Sequence, residues 1–238
     1  MKTIAVILFL LFATPAYAGN WTIGIDGGAA IPTQNYFPAY VGDQNSIDYK
    51  TGQDINYQNP LEASTGYMIS GYVLHSLWKY IDAGFLYSYD STASGAPEPF
   101  FPANYQSPHG TFHFPGAVKI PLGNAVTNAG FLYTRIHPWI FGSWEPFFGA
   151  GIGFSFNQWL TPVGTVDRTN FHAHVADAVA TRLELGTDYK ISEHFNLEAL
   201  MGGMINDPSV QIWWPDNGTD QRMNMILFFV QVGVNFKL

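Results

Sequence analysis

The chain contains no cysteine, which excludes disulfides, thiolate metal sites, cysteine nucleophiles and a cysteine-borne lipid anchor. Charge is scarce as well: 12% of residues are Asp, Glu, Lys or Arg, about half the proportion usual in a soluble domain. Eighteen acidic against ten basic residues give a formal net charge of −8, with no basic patch of the kind a nucleic-acid partner requires. Long apolar runs are missing. After the first dozen residues nothing approaches the length of a membrane-spanning helix, and the mean hydropathy is only +0.02. A chain of this kind does not cross a bilayer with helices. What it has in quantity is aromatic side chains, at 16%, and 24 glycines.

The amino terminus has the layout of a secretory signal. Lys2 precedes an apolar run from Ile4 to Phe12, Thr14-Pro15 breaks it, and Ala16-Tyr17-Ala18 supplies small-x-small for cleavage after Ala18. The run is too short for a membrane anchor. Two segments are therefore expected: a signal peptide over 1–18 and a single β-barrel domain over 19–238.

Through that domain the recurring pattern is alternation with a period of two, in segments of about ten residues, the length of a tilted transmembrane strand. Eight such segments are predicted: Trp21 to Ile31, Thr65 to Leu77, Ile81 to Tyr89, Ala125 to Ile136, Phe147 to Phe156, Val179 to Tyr189, Phe195 to Ile205, and Asn224 to the carboxyl terminus. The fifth is the plainest, with Phe148, Ala150, Ile152, Phe154 and Phe156 on one face and Gly149, Gly151 and Gly153 on the other. Connections alternate in length. Trp78-Lys79-Tyr80, Pro138 to Glu145 and Lys190 to His194 are short; Pro32 to Ser64 and Asp90 to Asn124 are long, and the latter carries Pro97-Glu98-Pro99-Phe100-Phe101-Pro102. Short turns at one rim and long loops at the other are expected of an up-and-down barrel in an outer membrane. In the last segment Phe228, Val230, Val232, Val234, Phe236 and Leu238 form one apolar face, as a strand that closes a barrel against its first strand requires.

Three stretches resemble the small OmpA-like and opacity-type outer-membrane barrels. They are Pro146 to Asn157, with its Pro-aromatic-x-Gly-Ala-Gly-x-Gly pattern; Leu183 to Met201, a Gly-x-x-Tyr strand with a short turn and a return strand; and Phe228 to Leu238, a terminal strand. The resemblance implies an all-β, transmembrane, antiparallel barrel of eight strands in the outer membrane. It implies lipid and lipopolysaccharide as surroundings, and the barrel-assembly machinery as a partner that reads the terminal strand. Members of that family usually end in Phe, where this chain has Leu238 with Phe236 two places earlier.

A barrel of eight strands has a lumen only wide enough for side chains, so inward charges must compensate one another. The alternation places Asp26, Asp82, Arg135, Arg182, Glu184 and Glu198 inward, enough for a salt-bridged plug; a pore lined by the same groups is the functional alternative to plain filling. Trp21, Trp78, Tyr80, Trp139, Trp144 and Tyr189 fall near strand ends, where amphipathic rings seek the headgroup region. Catalytic, cofactor and metal residues are not expected. Phe171-His172-Ala173-His174 is a two-ligand start at most, and Ala176 stands where a lipid-A-modifying barrel would need a hydroxyl beside the imidazole. Asp216 to Asp220 reads as a polar turn, and Trp213-Trp214 as exposed aromatics of a long loop. The expected function is a non-enzymatic envelope barrel presenting loops for adhesion or recognition by a host or surface ligand. A narrow channel for small or apolar solutes, as in OmpW-like barrels, is the alternative, and a lipid-A-modifying enzyme a third.

Overall fold

A computed structural model describes residues 21–33, 47–48, 53–54, 62–95, 104–107, 110–113, 124–160, 172–213, 218–222 and 225–238. The predicted signal peptide, the Pro97 to Pro102 cluster, Trp214, Asp216 and Asn224 lie outside the described residues. So do the side chains of His172, His174 and Trp213.

Eight long strands build the molecule: β1 (Trp21–Pro32), β2 (Glu62–Trp78), β3 (Ile81–Gly95), β4 (Asn124–Ile136), β5 (Trp144–Leu160), β6 (Ala178–Lys190), β7 (Phe195–Asn206) and β8 (Met225–Lys237). Each pairs antiparallel with its neighbours in sequence, and β1 pairs β8 from Thr22↔Lys237 to Pro32↔Leu227, so the sheet closes into a barrel. The backbone N–H of Leu238 donates to the Trp21 carbonyl at 2.9 Å and completes the ring at one rim. Closure leaves no edge strand with unsatisfied backbone groups, the condition for a sheet to stand in hydrocarbon.

The period-two pattern becomes two surfaces. Ile25, Leu132, Ile152, Phe154, Leu183 and Val232 are each more than half exposed on the outer wall. Their immediate neighbours Asp26, Phe131, Arg182 and Gln231 are buried in the lumen. Such an inversion is stable only where the outer wall meets lipid, since burying apolar surface is what ordinarily holds a sheet together.

Residues 79–80, 137–143 and 191–194 make the short turns, and Gly142 takes the left-handed conformation (φ 60°) in the second. In outer-membrane barrels this rim faces the periplasm. At the opposite rim the long connections carry further β-structure. Ile47–Asp48 pairs Gln53–Asp54, Asn104–Ser107 pairs Gly110–His113, and His172–Val175, Ser209–Trp213 and Gly218–Arg222 form a three-stranded sheet.

Several strands exceed their sequence-based bounds. β2 starts at Glu62 and β3 runs to Gly95, because the backbone ladder continues past the apolar belt through Asp90, Ser91 and Thr92. Trp144 and Glu145, expected in a turn, open β5 and pair with Tyr189 and Asp188 of β6.

Candidate functional site

The lumen is crossed by a hydrogen-bonded network. The inward parity of β4 delivers Phe131, Tyr133 and Arg135 to it. Arg135 is 1% exposed and forms a two-point contact with Glu198 of β7, Nη2 to Oε1 at 2.6 Å and Nη1 to Oε2 at 2.9 Å. Strands β4 and β7 are not neighbours, so this contact spans the barrel. The guanidinium lies between the rings of Tyr72 and Phe147, 4.1 Å from each centroid. Its Nε donates to Tyr133 Oη at 2.9 Å and its Nη1 to Tyr72 Oη at 3.0 Å. The two phenols in turn donate to carboxylates, Tyr72 to Glu198 and Tyr133 to Glu184.

A second arginine continues the network. Arg182 Nε donates to Glu184 Oε2 at 2.6 Å, Nη1 to Ser70 Oγ at 3.1 Å and Nη2 to Gln231 Oε1 at 2.8 Å, and its guanidinium sits 4.2 Å from the Phe229 ring centroid. Glu184 links the halves, since its Oε1 lies 3.7 Å from Arg135 Nη2. Farther toward the long loops Ser155, Asn157 and Asn206 bond one another at 2.8–3.1 Å. On the other side Asn235 donates to Asp188 at 2.8 Å and Glu198 at 3.2 Å. Buried charge in such a medium is tolerable only when paired and hydrogen-bonded, and both arginines are. Asp26 is buried beside them with neither carboxylate oxygen hydrogen-bonded.

Of the six charged residues expected inside, Asp26, Arg135, Arg182, Glu184 and Glu198 share this region. Asp82 does not: it stands at the short-turn rim, half-buried, with its Oδ2 3.0 Å from His137 Nε2. Tyr133 follows from sharing a face of β4 with Arg135, whereas Tyr72, Ser70, Gln231 and Asp188 went unmarked in the sequence. Parity would have found them, since each lies two or four residues along its strand from another lumen residue.

Glycines make room for the large groups. A Cβ on Gly24 would fall on the Tyr72 ring, and one on Gly149 on the Tyr133 hydroxyl and the Glu184 side chain. Small residues facing large ones fill a narrow lumen without strain.

Trp21, Trp78, Tyr80, Trp139, Trp144 and Tyr189 all lie at the short-turn rim. All but the half-buried Trp21 are exposed, and Trp144 and Tyr189 have ring centroids 4.8 Å apart. Tyr67 and Tyr89, 5.9 Å apart, sit toward the other rim. Of the terminal face, Phe228, Val230, Val232, Phe236 and Leu238 are exposed and Val234 is half-buried.

No family model matches the chain. An uncharacterized outer-membrane protein, y4mB, of Sinorhizobium fredii is 33% identical over 85 residues, a match spanning 34% of this chain and about a third (34%) of that relative's length. Among solved structures, the outer membrane protein OprG from Pseudomonas aeruginosa superposes with a TM-score of 0.62 at 13% identity, over 92% of this chain and 97% of its own. The outer membrane protein AlkL gives 0.49 at 12% identity, over 94% and 95%. With its closed eight-stranded wall, its apolar outer face and an outer-membrane fold matched along nearly its whole length, the chain is an outer-membrane β-barrel protein.

Proposed function

We propose that this barrel is non-enzymatic and sealed to ions at rest, supporting the envelope and acting through its external segments by adhesion or recognition. One observation carries the reading: the network joining Arg135, Glu198, Tyr133, Glu184, Arg182 and Gln231 crosses the lumen with its charged side chains at most 4% exposed. A conducting pore of this width would need a water-filled path where these groups stand. The long connections, which carry additional β-structure at one rim, are where binding residues would be displayed. The motifs resembling OmpA-like and opacity-type barrels support the same reading, with lipopolysaccharide and the barrel-assembly machinery as implied partners. The 1–18 signal peptide is the export route it requires.

Conductance of the purified barrel in planar bilayers tests the proposal. No steady ion-sized steps are expected. Reproducible stepwise openings would refute the sealed lumen and favour the OmpW-like reading, a narrow channel for small solutes.

A further inference from the structure

A second cluster lies at the short-turn rim, adjoining the Arg135 network through Asn235, which donates to both Asp188 and Glu198. Asp82 is the second residue of β3, His137 follows β4, Glu145 is the second residue of β5, and Asp188 lies near the end of β6. All four line one cavity of about 270 Å³, which Lys79, Arg135, Lys237 and Leu238 also border; the Arg135 guanidinium is already held by Glu198. A ring nitrogen of His137 and one carboxylate oxygen each of Glu145 and Asp188 lie within 4.8 Å of one another. His137 is 8% exposed and Asp188 3%. The Nε2 atom of His137 is 3.0 Å from Asp82 Oδ2, while Nδ1 is buried with no hydrogen-bond partner. A carboxylate on one ring nitrogen sets the tautomer: Nε2 carries the proton and donates it, which leaves an unused lone pair on Nδ1.

We propose that this cavity is a binding site for a divalent transition-metal ion of the zinc class, held by His137 Nδ1 and the carboxylates of Glu145 and Asp188, with water at a fourth position. One imidazole and two carboxylates with an open position is a zinc-type ligand set. Asp82 supplies the carboxylate–histidine–metal arrangement that orients such a ligand and raises its basicity. The imidazole selects against calcium and magnesium, which prefer oxygen alone and more ligands. Tetrahedral bonds of about 2.1 Å place ligand atoms about 3.4 Å apart, so the three groups need to close by little more than an ångström. Asn235, bonded to Asp188 Oδ1 at 2.8 Å, steadies one of them.

Lys237 is the competitor. Its Nζ lies 2.9 Å from Glu145 Oε2, yet its side chain is 39% exposed and can swing into water. Ammonium and metal are then alternative counter-ions for the same carboxylates, and removing the ammonium tightens the metal.

The test uses the untagged, folded barrel in detergent, stripped with chelator and titrated with Co2+, then Zn2+. One Co2+ per barrel is expected, with visible absorption of a nitrogen- and oxygen-ligated ion that one equivalent of Zn2+ abolishes. H137Q and D188N each weaken binding at least tenfold, and D82N about 10–100-fold by disorienting the imidazole. K237Q tightens binding several-fold. H194Q, at an exposed histidine on the same rim, leaves it unchanged. Every variant is checked for the heat-dependent gel shift of a folded barrel, and K237Q at an exposed side chain provides a reading that does not depend on disturbing the lumen. Substoichiometric binding, wild-type affinity in folded H137Q and D188N, loss in H194Q, or no tightening in K237Q would each overturn the site.

Discussion

Replacing Glu198 by Leu strips Arg135 of its two-point partner and leaves a guanidinium that is 1% exposed with Glu184, at 3.7 Å, as its remaining ion pair. Breaking one side of a buried pair costs about 3–5 kcal/mol, mostly because the survivor stays desolvated without compensation. R135L has the mirror effect: it abandons Glu198 and removes the donor to both phenols, at a similar cost. The double variant R135L/E198L behaves differently, since both charges leave together and an apolar pair fills the space. Its residual loss is the stacking of the guanidinium between Tyr72 and Phe147, about 2 kcal/mol for a desolvated cation–π contact. The double variant is therefore expected to be more stable than either single, not less. Urea unfolding in detergent, followed by tryptophan fluorescence and the gel shift, measures all four proteins of the cycle. Additive losses, with the double variant near the sum of the singles, would refute a coupled cross-lumen pair.

Two further substitutions probe the wall. Leu183→Arg, on the outer face, is expected to destabilise by about 2–4 kcal/mol, whereas Leu238→Arg at the rim costs about 0–1 kcal/mol; equal costs in lipid-vesicle unfolding would contradict the assigned lipid face. Gly24→Ala drives a methyl into the Tyr72 ring and is expected to lose about 1–3 kcal/mol, while Gly130→Ala, whose Cβ meets nothing within 4 Å, is neutral; matching urea midpoints would dispose of the tight-packing account.

Much of the wall was legible because its physics is local. Phe148 to Phe156 alternates apolar residues with Gly149, Gly151, Gly153 and Ser155, and Phe228 to Leu238 alternates to the last residue; a bilayer outside and a packed lumen inside impose that spacing on every strand. The ends of strands were not legible. Nothing apolar marks Asp90, Ser91 or Thr92, yet the ladder continues through them, because hydrogen bonding between neighbours outlasts contact with lipid. The lumen was half legible. Charges announced themselves at Arg135 and Glu198, but nothing in the sequence singled out Tyr72 as their hydrogen-bond partner, since a phenol suits either surface. Who meets whom across the barrel depends on register between strands that are not neighbours, which no single segment records. For the same reason Asp82 looked like a lumen charge: its parity is right, but its height places it with His137 at the mouth. Glu145 and Asp188 pair across β5 and β6 only once Trp144 is seen to open a strand.

The three-stranded sheet outside the barrel has a consequence for how the surface of this protein can diverge. Its middle strand, Ser209–Trp213, belongs to the fourth long connection and holds His172–Val175 of the third on one side and Gly218–Arg222 on the other. Exchanging the third excursion leaves a complete hairpin behind; exchanging the fourth strips its neighbour of every ladder bond described for it. The two are thus unequal tenants of one structure, the fourth free to shape the third, and variation between them should be correlated in one direction more than the other.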